Sequence, residues 1–136
     1  MAVLVLLPFL AGCGDLSRDE LNRGVESLSA LAAQGSLLAD GVARDATKST
    51  YTRVMARTLG GEAEHEAEKL ADAEPSPEVR RERRAAVQLA AELADLFSEL
   101  QTFPGDEHHG ELVRSEMDEV KEQADAVVER LTGEEA

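Results

Sequence analysis

The stretch PSPEVRRERRAAVQLAAELADLFSELQTFPGD, residues 75–106, decides the fold. Pro75-Ser76-Pro77 stops one segment and starts the next, with Ser76 as the expected N-cap and Pro77 at the first helical position. From there Val79, Ala86, Leu89, Leu93, Leu96, Leu100 and Phe103 recur on one helical stripe, so a helix is expected to run to about Thr102. Pro104-Gly105 then makes a turn, and Asp106 can cap another helix. The pattern is a helix held between two sharp turns.

Outward from that stretch the pattern repeats. Upstream, a helix is expected from about Ser49 to Ala73, with Tyr51, Met55, Leu59, Ala63 and Leu70 roughly aligned. Before it, residues from about Ser17 to Asp45 carry Leu21, Leu28, Leu31, Leu38 and Val42 on one seam. Gly24 and Gly35 fall on that seam and predict close helix approach, with a break at Gly35-Ser36 as the alternative. Downstream, Val113, Met117, Val120, Ala124, Val127 and Leu131 make a fourth stripe that ends at Gly133. No strand-like alternation follows Cys13; isoleucine is absent, and Ala, Leu, Glu and Arg, all strong helix formers, predominate. Four helices of similar length with short turns predict an all-α, four-helix up-down-up-down bundle over residues 17–132, with 133–136 as a flexible tail.

The opening residues read differently. Val3 to Gly14 is apolar but would make only about 18 Å of helix, against a hydrocarbon core of about 30 Å. Pro8 interrupts it, and nothing in its pattern is amphipathic, so neither a membrane span nor a core helix fits. Leu10-Ala11-Gly12-Cys13 closes the segment with small residues before the one cysteine of the chain. This resembles the lipobox of bacterial lipoproteins, and all four positions match. The resemblance covers residues 1–13 and departs from the usual signal in one respect, since no Lys or Arg precedes Arg18. It implies a signal peptide over residues 1–12, cleavage before Cys13, and a diacylglycerol thioether on Cys13 with acylation of the new amine. Residues 13–16 would then be a lipid-anchored linker. A lone cysteine in an exported chain forms no internal disulfide, which agrees with a thiol consumed by lipid. The implied location is the bacterial cell envelope, facing periplasm or exterior. Gly14 is not the aspartate of inner-membrane retention, so an outer membrane is expected where the cell has two. Beyond the signal, the body resembles uncharacterised helical lipoproteins, which implies no activity.

Charge excludes one class of partner. The net charge is −14, and residues 1–12 contribute none of it. Residues 15–60 balance, 61–75 carry −5, 76–104 carry −1 and 105–136 carry −8. Such a body repels phosphates, so no nucleic acid partner is expected. One basic cluster, Arg80, Arg81, Arg83 and Arg84, sits at a helix start, where cations oppose the macrodipole. Glu64, Glu66, Glu68, Asp72 and Glu74 sit with the mirrored mismatch at the preceding helix end. Two readings follow: the two ends pair across the hairpin, or the arginines contact anionic headgroups.

Chemistry-bearing motifs are few. Glu62, His65 and Glu66 form a Glu-x-x-His with a following acid, the i, i+3 arrangement of ferritin-like carboxylate sites. Such sites need a second Glu-x-x-His, and the nearest substitute is Asp106-x-x-His109 at a turn; the competing reading is a solvated acidic helix end. His108 and His109 read as exposed turn residues, with a weak surface metal site as the alternative. No nucleophile elbow, phosphate loop or dinucleotide fingerprint is present, so no enzyme and no cofactor are expected. The leading expectation is a membrane-anchored, non-enzymatic bundle acting through contacts with a protein partner in the envelope. It predicts a small-residue seam left over on the first helix at Gly24, Gly35 and Gly41. The alternative is a small metal- or ligand-binding bundle using Glu62, His65 and Glu66, which predicts that those side chains point inward.

Overall fold

Residues 15–133 are described by a computed structural model, so residues 1–14, with the expected signal peptide and Cys13, and residues 134–136, most of the expected tail, lie outside the described residues. Four helices follow one another: α1 (Arg18–Ala43), α2 (Ser49–Asp72), α3 (Arg80–Thr102) and α4 (Glu107–Thr132). They form an all-α four-helix bundle, and every helix boundary lies within a few residues of its expected place.

Local chemistry sets those boundaries. At α1, the Ser17 hydroxyl accepts from the Glu20 N–H at 3.2 Å, and the Glu20 carboxylate accepts from the Ser17 N–H at 2.9 Å. This capping box satisfies two donors that the helix cannot. At α4, Asp106 accepts from the His109 N–H at 3.0 Å, and Gly133 ends the helix in the left-handed region at φ 72°. The hairpin before α3 departs from expectation. Ser76 makes no side-chain cap; Pro77–Val79 instead form a 3-10 turn with Pro77 at its first position, and α3 proper starts at Arg80. Buried Val79 pins that turn to the core.

Packing is unequal around the bundle. α1 packs most extensively along α4, and α2 along α3, while the α1–α2 side is looser. Small residues bring the close pairs together. A Cβ on Gly110 would lie 2.6 Å from the Ala43 backbone nitrogen, and one on Gly35 would lie 2.7 Å from the Met117 sulfur. α1 runs unbroken through Gly35-Ser36, so the glycine marks close approach and the expected alternative break does not occur. Along the outer edge of the α1–α4 pair, Ser29 donates to Asp125 at 2.6 Å and Ser36 to Asp118 at 2.5 Å, one heptad apart on both helices. Phe97, Leu21, Leu28, Leu93, Leu100 and Met117 fill the core, each burial stabilising by about 1.5–3 kcal/mol before chain entropy is counted.

Two expected core residues are exposed. Tyr51 sits in the first turn of α2 where α1 packs loosely against it, and Phe103 is the C-cap residue beyond the last turn of α3. Phe103 stacks instead on His109, ring centroids 3.9 Å apart.

The topology gathers the chain into two ends. At the proximal end, the Leu16 N–H donates to the Glu74 carbonyl at 2.6 Å, and Leu16 bridges to Pro75. Arg18 donates to the Leu131 carbonyl at 3.1 Å. The start of α1, the α2–α3 turn and the end of α4 therefore meet there. The α1–α2 and α3–α4 turns meet at the distal end, where a Cβ on Gly105 would lie 2.6 Å from the Ser49 hydroxyl.

Candidate functional site

The arginine cluster does not pair with carboxylates as expected. Among the described residues, none of Arg80, Arg81, Arg83 and Arg84 makes an ion pair with an acid of α2. Arg83 instead donates Nε–H to the Leu70 carbonyl at 2.9 Å and reaches the Ala71 and Ala73 carbonyls with Nη2. The negative partner is the carbonyl end of α2 itself, which carries partial charge for the same reason that any helix C-terminus does. Arg18 repeats the device on α4. Arg80, Arg81 and Arg84 remain exposed at the proximal end.

The metal triad is not brought together. Glu62 and His65 are exposed on α2, contrary to the expected inward direction, and only Glu66 turns toward α1. Its side chain is 12% exposed; one carboxylate oxygen has no hydrogen-bond partner, and Lys69 Nζ stands 3.8 Å away. Gly24 makes room for it, since a Cβ there would lie 2.9 Å from that oxygen. His109 lies at the distal end, 3.2 Å from Asp106 and 3.8 Å from Glu99, and is half-buried rather than an open turn residue; His108 is exposed as expected. No group of three potential ligands occurs among the described residues. The i, i+3 spacing places Glu62 and His65 on one side of α2, but that side faces solvent.

The expected glycine seam on α1 is not left over either. Gly24 and Gly35 are both buried, the first against Glu66 and Leu70 of α2, the second against Met117 of α4 and Phe97 of α3. Gly41 faces Thr47 of the following turn. The bundle consumes all three.

Unfilled apolar surface appears elsewhere, where α1 and α2 pack loosely. A cleft of about 270 Å³ opens near the distal end between Gln34, Leu37 and Leu38 of α1, Thr47, and Tyr51, Met55 and Leu59 of α2. Leu37 is 75% exposed, Tyr51 56%, and Val54, one turn along from Tyr51, 57%. Sequence periodicity missed this patch. Leu37 stands on the outer side of α1, off the core stripe, and no pattern within one helix reports how closely its neighbour packs. Toward the proximal end the same side widens into a more polar cleft of about 400 Å³, lined by Leu16, Glu20, Arg23, Glu66, Lys69, Leu70 and Ala73.

The outer face of α2 has a third feature. Its first half is basic: residues 46–61 hold Lys48, Arg53 and Arg57 and no acid. Its second half holds Glu62, Glu64, Glu66, Glu68 and Asp72 against Lys69 alone. That order opposes the helix macrodipole, and α2 starts with neither an acid in its first turn nor a side-chain cap. Arg53, Arg57, Glu64 and Glu68 are exposed and make no ion pair among the described residues. Midway lies Gly61, exposed, with nothing within 4 Å of where a Cβ would stand. A glycine inside a helix costs about 1 kcal/mol relative to alanine. Gly60 has a packing reason, Phe97 at 3.1 Å; Gly61 has none among the described residues. Beside it, Glu64, Ala67 and Glu68 of α2 and Ala91, Ala94 and Asp95 of α3 enclose a shallow hollow of about 340 Å³ with an alanine floor and an acidic rim.

No helix among the described residues is long and apolar enough to cross a membrane. Compared with known proteins, the chain matches no family model, no curated protein and no solved structure.

Proposed function

We propose that the chain is a bacterial envelope lipoprotein, cut before Cys13, tethered by lipid on that sulfur, and acting as a non-enzymatic bundle through contact with a protein partner. The contact role is carried by one observation: Leu37 and Tyr51 expose apolar surface together in the lining of the distal α1–α2 cleft, with exposed Val54 one turn further along α2. Grouped exposed apolar residues beside a concavity are what a docking surface needs, whereas singly scattered ones are ordinary. The lipobox Leu10-Ala11-Gly12-Cys13 supports the anchor. Two or three acyl chains, at about 0.8 kcal/mol per buried methylene, hold a protein far more firmly than one.

The topology supports a direction for the contact. Leu16 is fixed at the proximal end, so a lipid three residues earlier holds that end nearest the bilayer. The distal cleft then stands out by most of the length of α1, about 39 Å for 26 residues. An acidic body adds no attraction to anionic headgroups, and Arg80, Arg81 and Arg84 are exposed at the near end together with Arg18.

Two measurements test this reading. Labelled palmitate is expected to enter the wild-type chain in cells and not the Cys13→Ser variant. A photocrosslinker at Leu37 or Tyr51 is expected to capture a discrete envelope protein, while one at Glu116 on α4 captures none. Absence of label removes the anchor; equal capture from both faces removes the docking role.

A further inference from the structure

We propose that the outer face of α2 and its edge with α3 dock a second copy of this chain, around a two-fold axis passing at Gly61. This proposal concerns the bundle alone and stands whether or not Cys13 carries lipid.

The charge order along α2 is self-complementary under such an axis. Two antiparallel α2 helices place the basic first half of each against the acidic second half of the other, and oppose their macrodipoles as well. Registered at Gly61, Arg57 of one copy falls level with the stretch between Glu64 and Glu68 of the other. There the hollow of about 340 Å³ offers an alanine floor for its methylenes and the carboxylates of Glu64, Glu68 and Asp95 for its guanidinium. Arg53 follows one turn behind, toward the end of the partner helix. The same contact forms twice, which is the economy of an isologous interface.

Gly61 supplies the independent reason. It lies at the crossing point, exposed, with open space where a side chain would stand, and the described residues of one copy give it no packing role. At the axis, two glycines let two helix backbones approach closely. The wrong arrangement is disfavoured by the same charges, since a parallel packing would set Arg53 and Arg57 against each other and the glutamates likewise. Long-range repulsion between two bodies of −14 is damped at physiological salt, where the screening length is about 8 Å, while the close pairs are screened less.

The test is sedimentation of the full chain across a concentration series, with every variant carrying Cys13→Ser so that neither lipid nor an intermolecular disulfide contributes. The parent is expected to shift from monomer to dimer as concentration rises. Arg57→Glu alone and the double variant Glu64→Arg/Glu68→Arg alone should each weaken association about tenfold or more, because each sets like charges together twice. Mixing those two variants should restore a heterodimer, since both contacts are then between opposite charges. Gly61→Leu should abolish the dimer while leaving the thermal midpoint unchanged or raised, which separates loss of contact from loss of fold. A parent that stays monomeric at every concentration overturns the proposal and leaves this face to a foreign partner. So does a dimer indifferent to Gly61→Leu, or a mixture that fails to associate.

Discussion

Arg83, in the first turn of α3, donates its Nε–H to the carbonyl of Leu70, 2.9 Å away in the last turns of α2. A charge-assisted bond to an otherwise unpaired helix carbonyl makes this arginine different from its neighbours. Arg83→Gln is expected to lower stability by about 1–2 kcal/mol. Arg81→Gln and Arg84→Gln, on exposed positions, should stay within about 0.5 kcal/mol of the parent. Urea unfolding of the three variants checks the contrast, and equal effects would defeat it.

The glycines should separate by what their missing side chain would meet. Gly110→Ala presses a methyl onto the Ala43 backbone, which cannot give way locally, and should cost about 2–3 kcal/mol. Gly35→Ala meets the flexible end of Met117, so repacking and the gain in helix propensity roughly cancel. Gly61→Ala meets nothing and should raise stability by about 1 kcal/mol. Thermal midpoints are expected in the order Gly61→Ala, Gly35→Ala, Gly110→Ala from highest to lowest.

Thr52 is fully buried in α2, and its hydroxyl has no hydrogen-bond partner among the described residues. Thr52→Val keeps the shape and removes the orphaned group, so a stabilisation of about 1 kcal/mol is expected. Thr52→Ala should gain less, because it leaves a gap. A lower denaturation midpoint for the valine variant would refute this.

Four carboxylates link stability to pH. The Asp106 carboxyl is held below its usual range by the hydrogen bond from the His109 backbone N–H and by the His109 ring beside it, Asp125 by Lys121 and Ser29, Glu20 by the Ser17 backbone and hydroxyl, and Asp40 by Arg44. A carboxyl whose folded value is depressed contributes fully above its unfolded value and loses that contribution as pH falls through the folded one. Stability should therefore be flat near neutrality with respect to these groups and decline from about pH 4 downward. Asp106→Asn, which still accepts a cap bond, should shallow the acid limb; an unchanged limb would argue against its part in it.

Much of this architecture was legible because each signal was local. Pro75-Ser76-Pro77, Asp106 and Gly133 act on their own neighbours, and the leucine stripes repeat within single helices. The arginine cluster was legible only in part: both carboxylates and carbonyls crowd a helix end, and sequence spacing does not tell which one a guanidinium reaches. Phe103 obeys the stripe but lies beyond the last turn of α3, and Tyr51 obeys it where α1 stands too far off to cover it. The distal cleft and the alanine-floored hollow were hidden altogether, because both depend on how far two helices stand apart. Gly61 alone left a trace, as a glycine inside a helix, and Gly60 beside it masked that trace.

The bond from the Leu16 N–H to the Glu74 carbonyl has a mechanical consequence. A load applied at the amino end of the bundle meets this bond before the first turn of α1. Force is thereby split between α1 and the α2–α3 hairpin, two elements that sit in different close-packed pairs. Such a load shears the two pairs against each other instead of unzipping one helix from its end, and shear breaks many contacts at once where peeling breaks them singly.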